Sequence, residues 1–133
     1  MALSKLRMTM PVMQEVEMTT ADSLSHEFEC LSVTAFKDHQ NTNSFAKHEA
    51  FGEFYEKVAS FKDRLNEYMI GMGYMSKVSS EPVDSEEDTI EEATEALRMI
   101  KEFAMMQNDE AIKNMAGEFM EMIGKLKFML RFP

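Results

Sequence analysis

The sequence predicts an all-α protein, an antiparallel bundle of four helices. Four segments carry apolar residues at helical spacing, and no segment keeps the alternating pattern of a strand for long. The composition agrees, because 15 methionines accompany only three prolines and five glycines. A chain of 133 residues has the length of one domain with one hydrophobic core. We therefore expect an N-terminal arm at residues 1–20 and a four-helix domain at residues 21–133.

A short polar corner joins the first two predicted helices. The first helix runs from residue 21 to about residue 40, with Asp22 or Ser23 available to cap its start. Residues 41–44 (Asn-Thr-Asn-Ser) interrupt the apolar pattern and can cap the second helix, which extends from about residue 45 to residue 71. The apolar stripes of these helices are Leu24, Phe28, Leu31, Val33, Phe36, Phe51, Phe54, Val58, Leu65, Met69 and Met72.

A long connection separates the second and third predicted helices. Residues 74–84 contain serines, a proline and acidic residues, and they join the two halves of the chain. Ser85 and the acidic run 86–88 suit the start of the third helix, which should end near Gln107. Residues 108–110 (Asn-Asp-Glu) mark the start of the fourth helix. The stripes here are Ile90, Ala93, Leu97, Ile100, Ala104, Ala111, Met115, Phe119, Met122, Leu126 and Met129.

The charge balance and the missing motifs exclude several classes of function. With 24 acidic and 14 basic residues the chain carries a formal charge of -10, which repels phosphate backbones and disfavours DNA as a partner. No apolar run approaches the length of a membrane span, and the single cysteine, Cys30, fits a reducing compartment. We expect a cytoplasmic protein. Nucleophile motifs, phosphate-binding glycine loops and paired-cysteine zinc patterns are missing from the sequence.

Four residues stand out as candidate metal ligands: His39, His48, Asp63 and Glu67. On a helical wheel Asp63 and Glu67 fall on the flank of the second helix away from its main apolar arc, and that flank can face a partner subunit. The two carboxylates are one turn apart, so they can converge on one cation. Imidazole with carboxylate is a ligand set that suits iron and similar divalent metals.

The same four residues can also be explained without a metal, as ordinary surface or capping residues. Carboxylates four residues apart occur on many solvated helix faces, where the neighbouring Lys62 and Arg64 could pair with them. Each histidine could equally be a capping, surface or half-buried residue at a helix end. The joint arrangement of the four residues favours the metal site.

The segment from Asp38 to Tyr55, continued to Asp63 and Glu67, resembles the heart of the Dps-like miniferritins, a ferritin-like family. In that family one histidine ends the first helix and a second opens the next, and a tyrosine follows. An aspartate and a glutamate one turn apart complete the set. The spacing from His48 onward matches the family pattern without a gap. The shorter corner between the histidines is similar to that of compact members encoded by tailed phages, which implies a phage or phage-related source.

The resemblance implies an iron-oxidising site between two subunits. His39 and His48 would come from one subunit, and Asp63 and Glu67 from its partner. It also implies a homo-oligomer, either a dimer or a larger shell. Carboxylates would stabilise the charge of Fe(III), and open coordination positions would admit the oxidant.

Two departures from the family pattern bear on these expectations. Gly52 stands where the family commonly has a further acidic ligand, one turn after the second histidine, so a two-iron centre would need Glu53 or Glu49 to compensate. The usual basic DNA-binding tail is also missing, because Lys5 and Arg7 are the only cations among the first twenty residues.

The alternative function is a non-enzymatic helical-bundle interaction protein whose metal site has decayed. Gly52 favours it, and abundant methionine on helix faces suits adaptable protein contacts. A nucleoid-binding protein is a third hypothesis, which the negative charge disfavours.

Overall fold

Four segments of the chain form α-helices in the computed structural model, which describes residues 18–83 and 86–133. The helices are α1 (Ala21–Asn41), α2 (Phe45–Gly71), α3 (Thr89–Gln107) and α4 (Glu110–Met129). α1 packs on α2 and α3, and α4 packs on the same two helices. The described residues contain no strand. The predicted four-helix bundle is confirmed, whereas residues 1–17 of the predicted arm lie outside the described chain.

Each helix begins after a residue whose side chain accepts a hydrogen bond from a backbone amide of the first turn. These capping residues are Thr20, Ser44, Asp88 and Asp109. The predicted cap of α1, Asp22 or Ser23, was wrong. Thr20 is the last extended residue before α1 and accepts from the Ser23 amide, while the Ser23 side chain bonds back to the Thr20 backbone. Ser23 therefore completes a capping box instead of starting the helix.

The core is built around three phenylalanines from three helices. Phe28 of α1 lies with its ring centroid 5.0 Å from Phe119 of α4 and 5.3 Å from Phe61 of α2. Two residues of the predicted stripes are exposed instead, Phe36 at 44% and Met72 at 52%. Phe36 is about 140° around α1 from the buried Leu31, so it points off the core face. Met72 follows the last residue of α2 as its C-cap.

Polar side chains tie the helices together at both ends of the bundle. Asp38 near the end of α1 accepts hydrogen bonds from the Thr89 amide at 3.0 Å and the Thr89 hydroxyl at 2.6 Å. At the opposite end, Asp109 accepts from the hydroxyls of Tyr68 at 2.8 Å and Tyr74 at 2.7 Å. The helix ends are thus fixed by bonds between residues 35 to 51 positions apart in sequence.

The long connection predicted between α2 and α3 leads from one end of the bundle to the other. Its first residues pack on the core, since the Tyr74 ring meets Phe103 edge-on at 5.4 Å and Met75 is buried. Residues 76–83 are mostly exposed. Among the described residues no helix is long and apolar enough to cross a membrane.

Candidate metal centre

The corner between α1 and α2 brings two of the four candidate ligands into contact. His39 lies in the last turn of α1 and His48 in the first turn of α2, which Ser44 caps. Their imidazole rings stack with centroids 3.9 Å apart and an angle of 19° between the planes. The short polar corner therefore places the two histidines side by side.

Reciprocal hydrogen bonds set the tautomer of both histidines. Nδ1 of His39 lies 2.7 Å from the carbonyl oxygen of His48, and Nδ1 of His48 lies 2.7 Å from the carbonyl oxygen of His39. A carbonyl oxygen can only accept a hydrogen bond, so each Nδ1 carries the proton and donates it. In the neutral rings both Nε2 atoms then keep a lone pair, which is the form that binds a metal.

Gly52 makes room for the His39 ring against the backbone of α2. A Cβ atom at position 52 would lie 2.7 Å from Cε1 and 2.8 Å from Nδ1 of His39, closer than such atoms can approach. Any side chain here would displace the ring and its bond to the His48 carbonyl. The glycine that departs from the family pattern is thus part of the histidine corner.

Asp63 and Glu67 do not join the histidines within one chain. Both are exposed on α2. Asp63 lies 15 positions after His48, which is about 22 Å along the helix. Among the residues that the structure describes, no three or more histidine, cysteine, aspartate or glutamate side chains are placed to hold a metal ion. A centre that uses all four predicted ligands therefore needs a second chain.

The cations beside these carboxylates are engaged elsewhere. Lys62 pairs with Glu29 of α1 at 2.7 Å, and Arg64 pairs with Glu118 of α4 at 3.0 Å. Asp63 and Glu67 make no hydrogen bond or ion pair with another residue of the described chain. The suggested ion pairs of Lys62 and Arg64 with Asp63 and Glu67 are therefore wrong.

The sequence analysis missed a pair of carboxyl groups between α1 and α3, the buried Glu92 and the half-buried Glu27. Burial, a hydrogen bond to Glu92, and the negative charges of Glu92, Glu95 and Glu87 raise the pKa of Glu27 to about 9 from its ordinary 4.5. Glu27 is then a neutral acid at pH 7. The signal was available, because Glu92 lies one helical turn before the buried Ala96 and so faces the core.

Comparison with known proteins gives a family but no activity. No curated protein and no solved structure matches the chain. Residues 39–130, more than two thirds of the sequence, match a protein family described as a family of unknown function, DUF5856. The matched region begins at His39 and contains all four candidate ligands. The chain belongs to the DUF5856 family.

Proposed function

We propose that the protein is an iron-binding, miniferritin-like homo-oligomer that oxidises Fe(II) at a site between two subunits. His39 and His48 of one subunit and Asp63 and Glu67 of the partner subunit are the ligands. The observation that carries the proposal is the pairing of both Nδ1 atoms with carbonyl oxygens. Such bonds orient metal-binding histidines and set their tautomer, so that Nε2 is presented to the metal.

The spacing of the ligands along α2 supports a two-fold dimer. His48 and the pair Asp63 and Glu67 lie at similar distances from a midpoint near residue 56. When a second α2 packs antiparallel about that point, each histidine pair faces the other copy's carboxylates, and two equivalent sites form. Near the midpoint the exposed Phe36 packs on Tyr55, with ring centroids 5.4 Å apart, and offers an apolar contact.

The chemistry of this ligand set suits ferrous iron as a substrate. Two imidazole nitrogens and two carboxylates bind Fe(II), and the negative carboxylates favour the extra positive charge of Fe(III). The electron passes to an oxidant such as dioxygen or peroxide, which uses a remaining coordination position. Because Asp63 and Glu67 have no ion pair with the described chain, metal binding breaks none.

Gly52 supports one metal ion at each site. In the family that the chain resembles, an acidic ligand at this position belongs to the two-iron centre. Here even a Cβ would collide with His39. We therefore expect one iron per site, and two per dimer.

A complementation experiment tests the shared site. His48→Ala and Asp63→Ala are purified separately, and anaerobic Fe(II) binding and aerobic oxidation are measured for each variant and for a refolded equimolar mixture. Each variant alone should lose binding. Random pairing makes half of the dimers mixed, and each mixed dimer has one intact site, so the mixture should recover ~25% of the wild-type capacity.

The controls separate the possible outcomes. Glu121→Ala removes an exposed carboxylate of α4 and should bind iron like the wild type. Oligomeric mass is measured in parallel by light scattering. Recovery in the mixture supports the intersubunit site, whereas two inactive variants that stay inactive when mixed contradict it. A wild-type protein that is monomeric and takes up no iron contradicts the whole proposal.

Exposed aromatic residues favour the alternative function, a helical-bundle interaction protein. Phe45 is 77% exposed, and the rings of Phe128 and Phe132 form an exposed edge-on pair at 5.4 Å. Phe45 lies one helical turn before His48, whereas Phe128 and Phe132 lie at the end of α4 and its following residues. Replacing Phe128 and Phe132 by serine should leave iron binding unchanged, so loss of a protein partner in this variant would be independent of the metal ligands.

A further inference from the structure

Four exposed carboxylates form a stripe along the outer flank of α2. Glu49, Glu56 and Asp63 follow each other at intervals of seven residues, which is close to two helical turns, and Glu67 lies one turn after Asp63. We call these four residues the acidic stripe. Asp63 and Glu67 are also the proposed metal ligands, so the metal site and the stripe occupy the same surface.

The cations of α2 do not neutralise the acidic stripe. Three of them pair with glutamates outside the stripe: Lys57, Lys62 and Arg64. The fourth, Lys47, lies nine residues before Glu56, which places it about 180° around the helix. Among the residues that the structure describes, no salt bridge reaches a member of the stripe. The outer flank of α2 is therefore a negatively charged surface.

The proposed dimer brings two copies of the acidic stripe together. Its midpoint lies near residue 56, so the Glu56 side chains of both copies meet near the two-fold axis. Four carboxylates from each copy then share one contact, and like charges that face each other across an interface repel. Permanent interfaces avoid this arrangement, because charged residues are depleted in their centres. Without a cation the two α2 flanks should stay apart.

A ferrous ion changes this balance at each site. Its two positive charges match the negative charges of Asp63 and Glu67, while His39 and His48 contribute neutral Nε2 atoms. One chain supplies only half of this ligand set, since His48 lies about 22 Å from Asp63 along the helix. A metal ion therefore binds the dimer more tightly than a single chain, and by linkage it strengthens the dimer to the same extent.

We propose that ferrous iron assembles its own binding site: the chain is monomeric without metal, and two iron ions close an α2–α2 dimer across the acidic stripes. This inference rests on the proposed function and adds a regulation of the same site. The site exists only while iron is bound, and loss of the iron restores the repulsion between the stripes and separates the copies. Glu56 keeps the metal-free chains apart without being a ligand.

Sedimentation of the full-length chain tests this assembly. The protein is stripped with a chelator and then titrated with Fe(II) under argon, and we expect a monomer that becomes a dimer with two bound ions. Iron at about ten times its dissociation constant for each of the two sites should strengthen the dimer about 100-fold. The half-saturating iron concentration should fall as the protein concentration rises, because the coupling is reciprocal. Mg²⁺ has the same charge but prefers oxygen ligands and water, so it should not assemble the dimer.

Two substitutions of equal charge provide the matched comparison. Glu56→Gln removes the charge at the two-fold axis and should dimerise at a lower iron concentration, whereas Glu121→Gln, on the exposed face of α4, should behave like the wild type. His48→Ala should stay monomeric at every iron concentration. A dimer that persists in chelator, or equal assembly by Mg²⁺, overturns this inference and leaves the proposed iron site standing. A monomer that binds no iron overturns both.

Discussion

Two polar clusters lie at opposite ends of the bundle. They differ in whether the cluster keeps an atom that is free of hydrogen bonds to described residues and can bind a ligand. Asp109 accepts bonds from Tyr68, Tyr74 and the Ile112 amide, so both of its carboxylate oxygens are used. In the histidine corner, His39 and His48 use their Nδ1 atoms on each other's carbonyls, and their Nε2 atoms bond to no described residue.

The comparison shows how a structural polar cluster differs from one that suits a ligand. Hydrogen bonds to Asp109 raise the pKa of Tyr74 to about 12 and that of Tyr68 above its ordinary value. Burial opposes ionisation of Asp109, but the donors around it outweigh burial and lower its pKa. That cluster stabilises the fold and has no capacity for a metal. The histidine corner is equally well ordered by hydrogen bonds and still offers two nitrogen lone pairs.

Breaking the Asp109 cluster should have the largest effect on stability. Asp109→Ala removes the N-cap of α4 and leaves two tyrosine hydroxyls without their acceptor, so we expect about 3 kcal/mol less free energy of unfolding. Urea denaturation measures it. Iron binding by the remaining folded protein should be unchanged. A loss below about 1 kcal/mol would mean that Asp109 acts only as a cap.

Filling the space at Gly52 should break the histidine corner and leave the fold intact. In Gly52→Ala the new methyl group displaces the His39 ring, and iron affinity should fall about 10- to 100-fold, as for other losses of an orienting bond. Calorimetric titration measures the affinity. Gly124→Ala is the matched control, because a Cβ there meets nothing within 4 Å. It should gain up to about 1 kcal/mol in stability from helix propensity and bind iron normally. Equal affinities in the two variants would contradict the role of His39.

The half-buried acid Glu27 should make stability depend on pH. Folding raises the pKa of Glu27 from 4.5 to about 9, so its contribution is fully present below pH 4.5 and is lost as pH rises toward 9. The slope should be less than about 1 kcal/mol per pH unit, because solvent reaches part of the carboxyl. Glu27→Gln keeps a neutral hydrogen-bonding group and should flatten this dependence. Denaturation midpoints at pH 5, 7 and 9 measure it, and parallel curves for both proteins would contradict the assignment.

Removing an exposed ion pair should have the smallest effect. Arg64 and Glu118 are each about half exposed, with side-chain values of 56% and 50%, so Arg64→Ala should cost less than about 1 kcal/mol. It should also leave iron binding unchanged, because Arg64 does not pair with Asp63 or Glu67. Tighter iron binding in this variant would show that Arg64 competes with the metal for these carboxylates.

Local patterns in the sequence predicted the helices because caps and stripes act over a few residues. Ser44, Asp88 and Asp109 lie within the predicted start signals, and each caps its helix. The predicted caps of α1 were wrong because a capping box places hydroxyl residues at both the cap and the third position. Phe36 shows that an apolar residue at helical spacing need not be buried, since its side chain is exposed on the outer face.

Only part of the candidate site could be predicted from local sequence patterns. The spacing of His39 and His48 identified the corner, but the reciprocal bonds and the space at Gly52 depend on how two helices meet. The inward orientation of Glu92 follows from its spacing to Ala96, but its pairing with Glu27, 65 positions earlier, depends on how α1 and α3 meet. The docking of Asp63 and Glu67 against a second chain stays a prediction.

The hydrogen bonds between Asp38 and Thr89 determine when, during synthesis of the chain, the histidine corner can be completed. Asp38 directly precedes His39, and its partner is 51 residues later in the chain. All four proposed ligands leave the ribosome before Thr89 does, because the last of them is residue 67. A nascent chain that ends before α3 can form the α1–α2 hairpin but cannot fix Asp38. The histidine corner therefore reaches its final rigidity only after the second half of the protein has been made.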